Sequence, residues 1–150
     1  MDSADSIAPL PVFRYHPDPI GTGSIAPSDK ECRCCGRSRG YIYTLAPYAE
    51  EDIEEESICP WCIADGSAHR KFGAEFIDSE GIPDEVPEHV VEELVERTPG
   101  YAAWQAEEWR ACCNDAAAFL GESRDAGPGR TTYVFECLHC RRRLLHVDFP

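Results

Sequence analysis

No stretch of about 18 apolar residues occurs in the chain, so the usual length criterion gives no membrane-spanning helix. The first 30 residues also lack the unbroken apolar run of a secretory signal, which points to a cytoplasmic protein. Equally missing are a phosphate-cradling Gly-rich loop, a Gly-x-Ser-x-Gly elbow and a His-Glu-x-x-His metal pair. Nucleotide-dependent and hydrolytic chemistry therefore has no anchor in the sequence, and no catalytic residue is assigned. Positive charge is scarce where acid is dense. Six acids and no base occupy residues 50–57, and eleven acids stand against the single Arg97 over residues 74–108. The formal net charge is -14, yet outside those two stretches the chain is slightly basic.

What the chain has in abundance is cysteine. Nine cysteines cannot all pair within one chain, and a reducing compartment disfavours a disulfide framework, so metal binding is favoured. Three Cys-x-x-Cys pairs stand out: Cys32 and Cys35, Cys59 and Cys62, Cys137 and Cys140. At that spacing one tight backbone turn supplies two of the four donors that a tetrahedral soft cation requires. Cys32, Cys35, Cys59 and Cys62 are expected around one zinc, with Cys34 as the alternative to either member of the first pair. For a second zinc the firm half is Cys137 and Cys140. Cys112 and Cys113 are expected to complete it, with His139, His146 and His69 as reserve donors. Cys35 and Cys59 are separated by 23 residues, and so are Cys113 and Cys137. The competing reading of Cys112 and Cys113 is a pair of small buried hydrophobes on a helix. Iron in place of zinc stays open. Lys30, Arg33, Arg37 and Arg39 surround the first pair and Arg141, Arg142 and Arg143 follow the last, where they offset the negative charge of a four-thiolate centre or contact phosphate.

The layout implied is an α+β fold: a small zinc-stabilised domain with zinc-knuckle β-hairpins and a helical middle segment. Residues 1–9 are expected to be flexible. Residues 10–150 are expected to form a single zinc-binding domain around one shared core, its first metal half spanning about 10–73 and its second about 87–150. Proline density in Leu10 to Ile25 excludes helix and predicts an extended segment that packs by Phe13 and Tyr15. Gly36 directly after the first pair permits a positive φ, and Tyr41 to Leu45 reads as a returning strand. One or two short helical turns are expected after Cys62. Val90, Val91, Leu94 and Val95 fall on one side of a helix over 87–97. Thr98 before Pro99 predicts a restart, with a new helix running through Tyr101, Trp104 and Trp109 toward Cys112. A glycine turn at Gly127 to Gly129 precedes a final hairpin, Thr131 to Glu136 and Leu144 to Phe149, with the last cysteine pair at its tip.

Redox chemistry is the chief rival. Cys59-Pro60-Trp61-Cys62 resembles the active dithiol of thioredoxin-like proteins, but that fold needs a βαβ unit, and the carboxylates before Cys59 raise a thiol pKa by like-charge repulsion. His16 and His89 read as surface or packing residues, and the aromatics at 101, 104 and 109 as core.

Longer motifs carry a resemblance. Cys59-Pro60-Trp61-Cys62-Ile63-Ala64-Asp65-Gly66-Ser67-Ala68, and Glu93-Leu94-Val95-Glu96-Arg97-Thr98-Pro99-Gly100-Tyr101 followed by Trp104, Gln105, Glu107 and Trp109, are joined by Phe13-Arg14-Tyr15-His16-Pro17-Asp18-Pro19 and Cys137-Leu138-His139-Cys140. With these the chain resembles the CbrC-like family of small bacterial proteins from Leu10 onward, departing at Cys112, where the pattern Trp-x-x-His-Cys has histidine. The family name implies tolerance of colicins and brings no catalytic residues. Two functions follow as expectations. One is a non-enzymatic zinc protein that binds a protein partner, a toxin such as a nuclease, through its acidic surface, since carboxylates cover the basic face a nuclease turns to phosphate. The alternative is nucleic-acid binding through the knuckles, which the overall charge opposes. The acid run at 50–57 reads equally well as a solvated face.

Overall fold

The computed structural model describes residues 9–102, 108–123 and 131–148. Residues 1–8, where flexibility is expected, and the glycine turn at 127–129 lie outside the described residues. The proline-rich segment is free of helix, as its composition requires, but it turns instead of extending. Asp18 accepts from the backbone N–H groups of Gly21 and Thr22 at 3.0 and 3.1 Å and folds residues 18–22 into a tight loop. Phe13 and Tyr15 are both buried and enter different apolar clusters.

Strand β1 (Ile25–Pro27) pairs antiparallel with β2 (Tyr41–Tyr43), and the first cysteine pair lies in the connection between them. Helix α1 (Pro60–Ala64) starts at proline, whose missing N–H costs nothing in a first turn. Gly66 at φ +79° breaks it from α2 (Ser67–Phe72). Helix α3 (Glu88–Arg97) is capped by an extended Pro87 and buries Val90, Leu94 and Val95, the stripe expected from the apolar spacing.

The helix expected after Thr98 is not found among the described residues. Thr98 is extended (φ -129°, ψ 127°) because the following proline disfavours the α region, and its hydroxyl donates to Glu93 O at 2.9 Å, closing α3. Gly100 N donates to the Tyr43 hydroxyl (3.2 Å) and Gly100 O accepts from Ser24 (2.6 Å), so the carbonyl that a new helix would use is already engaged. Trp104 lies outside the described residues, while Tyr101 and Trp109 are buried core. Cys112 therefore ends no helix. It closes β3 (Ala111–Cys112), which turns through Cys113 and Asn114 into β4 (Asp115–Ala116).

The third sheet has the order β5 (Ala118–Ser123), β6 (Thr131–Glu136), β7 (Arg143–Asp148), all antiparallel. β5 and the β3–β4 hairpin were not anticipated. The register slips between Phe119 and Gly121, and Gly121 at φ +120° accommodates the bulge that turns Leu120 outward.

Buried apolar side chains form two clusters, not the one shared core expected. One gathers Phe13, Ile25, Ile42, Tyr43, Ile58, Ile63 and Phe76 with three of the cysteines. The other is aromatic: Tyr101 stacks on Phe119 at 4.2 Å, with Trp109, Tyr133 and Phe135 around them. The clusters meet where Phe76 N, in the first, donates to Val95 O, in the second (2.8 Å).

Candidate metal centres

Eight of the nine cysteines converge in two groups, Cys32, Cys35, Cys59, Cys62 and Cys112, Cys113, Cys137, Cys140, each with its sulfurs within 4.8 Å of one another. None is in a disulfide. In the first group local backbone chemistry aims the thiols. Cys32 N donates to Arg37 O (2.9 Å), Gly36 N to Cys32 O (2.7 Å) and Cys34 N to Cys32 Sγ (3.3 Å), a tight knuckle completed by Gly36 at φ +71°. Cys59 caps α1 and Cys62 sits one turn inside it, so both sulfurs leave the same end of the helix. Cys59 N also donates to Cys32 Sγ at 3.3 Å, joining the two halves. Cys34 stands outside the group, its thiol 3.7 Å from Ser67 Oγ.

The second knuckle repeats the first bond for bond. Cys137 N donates to Arg142 O (2.9 Å), Arg141 N to Cys137 O (3.1 Å) and His139 N to Cys137 Sγ (3.4 Å). Arg141 takes the place of Gly36 and adopts the same left-handed backbone, φ +65°. The facing half differs. Cys113 and Asn114 both have φ +58°, the signature of a two-residue hairpin turn that normally recruits Asn-Gly. That turn places adjacent cysteines side by side, Cys112 Sγ lying 3.7 Å from both Cys113 Sγ and Cys140 Sγ. The reading of Cys112 and Cys113 as buried residues on a helix is thus replaced by a half-exposed β-turn. The reserve donors are engaged elsewhere: His69 Nδ1 with Ala74 O, His146 stacked on Tyr133, and His139 with Asp115.

Sequence reading missed what ties the second centre together. Asp115, two residues past Cys113, accepts at Oδ1 from the Tyr15 hydroxyl (2.7 Å) and the Ala116 N–H (2.9 Å) and at Oδ2 from Arg14 (3.4 Å), and Oδ2 also lies 2.8 Å from His139 Nε2. Burial pushes the Asp115 carboxyl up, but these donors outweigh it and hold the group below the usual carboxylate range. Tyr15 is driven up to about 12 by burial and by that same carboxylate. One side chain thereby clasps the N-terminal segment, the β3–β4 hairpin and the last knuckle. Only the Tyr15-containing motif and the proximity of Asp115 and His139 to cysteines hint at it in sequence.

The donor sets fit a tetrahedral soft cation. Zinc–sulfur bonds of about 2.3 Å place tetrahedral sulfurs roughly 3.8 Å apart. The Cys32–Cys62 and Cys35–Cys59 separations are 3.8 and 3.9 Å, and the two Cys112 separations are 3.7 Å. Sulfurs this close cannot all ionise without a compensating charge. Hydrogen bonding with Cys59 and Cys62 pulls the Cys32 thiol far down, while the same contact with Cys32 pushes Cys59 up to about 12 and Cys62 higher still. In the second group the Cys140 N–H and then the His139 N–H bring Cys137 down to about 6, and contact with Cys137 sends Cys112 up to about 12. Two closed four-sulfur sets are compatible with two metal ions that brace the fold.

The model of an uncharacterised protein family, UPF0167, matches residues 10–127. The chain belongs to that family. It is 40% identical to UPF0167 protein PA1536 of Pseudomonas aeruginosa, covering 94% of this chain and 98% of the relative. It is 42% identical to UPF0167 protein Mb2317 of Mycobacterium bovis and to UPF0167 protein MT2352 of Mycobacterium tuberculosis, covering 93% of this chain and 94% of each. These bacterial relatives are not named for CbrC. No solved structure matches the chain. Within this UPF0167 fold the described sheets are antiparallel and α1 follows a loop, so the dithiol at Cys59 and Cys62 lacks the βαβ setting of a thioredoxin. Three of the arginines near the knuckles pair with carboxylates: Arg33 with Glu51, and Arg141 and Arg143 with Glu136. Among the described residues no helix is long and apolar enough to cross a membrane.

Proposed function

We propose that this UPF0167 protein is a cytoplasmic, non-enzymatic scaffold braced by two structural zinc ions that binds a basic protein partner through its acidic surface. The resemblance to CbrC-like proteins makes the partner a toxin such as a nuclease, and the role one of tolerance or immunity. A four-thiolate zinc has no open coordination position, which favours a bracing role over catalysis. The observation that carries the binding reading is the presentation of the acid. Ile53 is 4% exposed and pins the loop into the first cluster, while Glu50, Glu51, Asp52, Glu54, Glu55 and Glu56 around it all face solvent. Asp84, Glu85, Glu88 and Glu92 add a second exposed row leading into and along α3. Such surfaces steer basic partners and make association fast and salt-sensitive. The test is to mix the zinc-loaded protein with a panel of basic nucleases at low and high salt. Complex formation that weakens with salt, and that is lost when Glu50, Glu54 and Glu55 become lysine, is expected; no complex at low salt across the panel overturns the reading.

One observation favours a second reading. Arg39 lies 4.7 Å over the Trp61 ring, with Tyr41 at 6.5 Å from the same ring, a cation and two aromatics beside the first knuckle of the kind that stacks single-stranded bases. A gel shift that is salt-dependent and vanishes with Arg39→Ala, or with Arg141, Arg142 and Arg143 changed to alanine, would put nucleic acid ahead of protein.

A further inference from the structure

The two centres differ in one respect that matters chemically. The first is largely sealed: Cys32, Cys59 and Cys62 are buried at 1%, 1% and 3% exposure within an apolar cluster, and only Cys35 is half-exposed. The second is open: Cys113 and Cys140 are exposed, Cys112 is half-exposed, and only Cys137 is buried. Cys113 also lines a cleft of about 380 Å³ with Arg14, His89 and His139, which brings a small solute to the edge of the cluster. Its backbone is held at φ +58°, a conformation an L-residue other than glycine or asparagine adopts only under constraint. The β3–β4 pairing on either side of the turn supplies that constraint.

The geometry points to the second centre as a thiol-oxidation site, at which a peroxide converts two metal-bound thiolates to a disulfide and ejects one ion while the first centre is untouched. Cys oxidation follows thiolate character, which metal binding gives both centres alike, and exposure, which is concentrated at the second. The pair is Cys112 and Cys140, whose sulfurs are 3.7 Å apart and whose residues lie on different elements. Cys112 and Cys113 are as close, but adjacent Cα atoms are only about 3.8 Å apart across a trans peptide, shorter than the roughly 4.4 Å minimum of a relaxed disulfide. The balance is two thiolates, one hydrogen peroxide and two protons giving one disulfide and two waters. One thiolate attacks the peroxide oxygen, forming a sulfenic acid, and the second displaces its hydroxyl. With two donors consumed, Cys113 and Cys137 alone no longer hold the cation.

This inference rests on the metal reading of the two centres, and the zinc content before oxidant tests that reading by itself. The experiment uses the full chain purified without chelator: zinc is counted, hydrogen peroxide is added in steps, and released zinc is followed with a chromophoric chelator. Peptide mapping with alkylation of free thiols accompanies each step. Loss of one equivalent of two, coincident with a Cys112–Cys140 disulfide and with Cys32, Cys35, Cys59 and Cys62 still reduced, is the expected result. Two equivalents at the start with parallel release of both, oxidation of the first group before the second, or no release at all overturns the inference alone. Fewer than two equivalents before oxidant overturns the metal reading and the inference with it.

Discussion

His16 makes stability depend on pH in a way that the metal centres do not. Its ring is fully buried, edge-on to Phe119 at 5.1 Å, with Nδ1 2.8 Å from Pro99 O and Nε2 2.7 Å from Thr22 Oγ1. A carbonyl only accepts, so Nδ1 carries the proton and Nε2 accepts from the hydroxyl. Should the ring become an imidazolium, Thr22 can turn its proton to Pro19 O at 3.2 Å, so the penalty is that of burying charge and not of losing a bond. That desolvation outweighs the opposing pull of the Pro99 carbonyl and of Asp18 and lowers the His16 pKa to about 4. The unfolded chain, with histidine near about 6.5, then binds more protons than the folded one between the two values, so stability is full above that window and falls as pH drops through it. Linkage gives a loss of about 2 kcal/mol at pH 5 and about 3 kcal/mol once both states are protonated. In His16→Asn the amide N–H retains the bond to Pro99 while the titrating group is gone. Urea unfolding of both proteins at pH 7.5 and 5, with free zinc held constant, isolates the effect, because proton competition at the thiols is common to both. The wild type is expected to lose about 2 kcal/mol more than the variant. Parallel losses, or a His16 ring resonance that titrates near 6.5 in the folded protein, would refute the reasoning.

Asp115→Asn places an amide N–H against His139 or Tyr15 in the clasp; it should weaken zinc at the second centre by about 10- to 100-fold and leave the first unchanged, as read by competition with a chelator. Equal weakening at both, or none, refutes the clasp. Gly36→Ala introduces a Cβ that meets nothing within 4 Å, so any cost is backbone strain at φ +71°, about 1–2 kcal/mol in denaturation at fixed zinc. The converse, Arg141→Gly, should be stabilising by up to about 1 kcal/mol, less whatever the exposed pair with Glu136 contributes, and a loss larger than that pair can explain counts against the equivalence of the two knuckles.

Sequence by itself determined the parts that local chemistry settles. The Cys-x-x-Cys spacing names a turn that presents two sulfurs, Gly36 names its left-handed corner, and the Val90–Val95 spacing marks the buried stripe of α3, although the helical turn expected after Cys62 starts earlier, at Pro60. The aromatic spacing at Tyr101 and Trp109 was misleading because burial satisfies the same residues without a helix, once Tyr43 and Ser24 have claimed the backbone of Gly100. The cysteine spacing named the eight sulfurs that gather, and tertiary structure decided the alternative it left open, since Cys34 is a donor as good as its neighbours until the knuckle turns it toward Ser67. Tertiary structure decided equally that Asp115 clasps three segments, that the core is two clusters, and that one centre is largely sealed while the other is open. Turns and helix starts are written in φ, ψ and a few neighbouring residues. Convergence and burial depend on contacts between segments a hundred positions apart, and no local pattern encodes which of them meet.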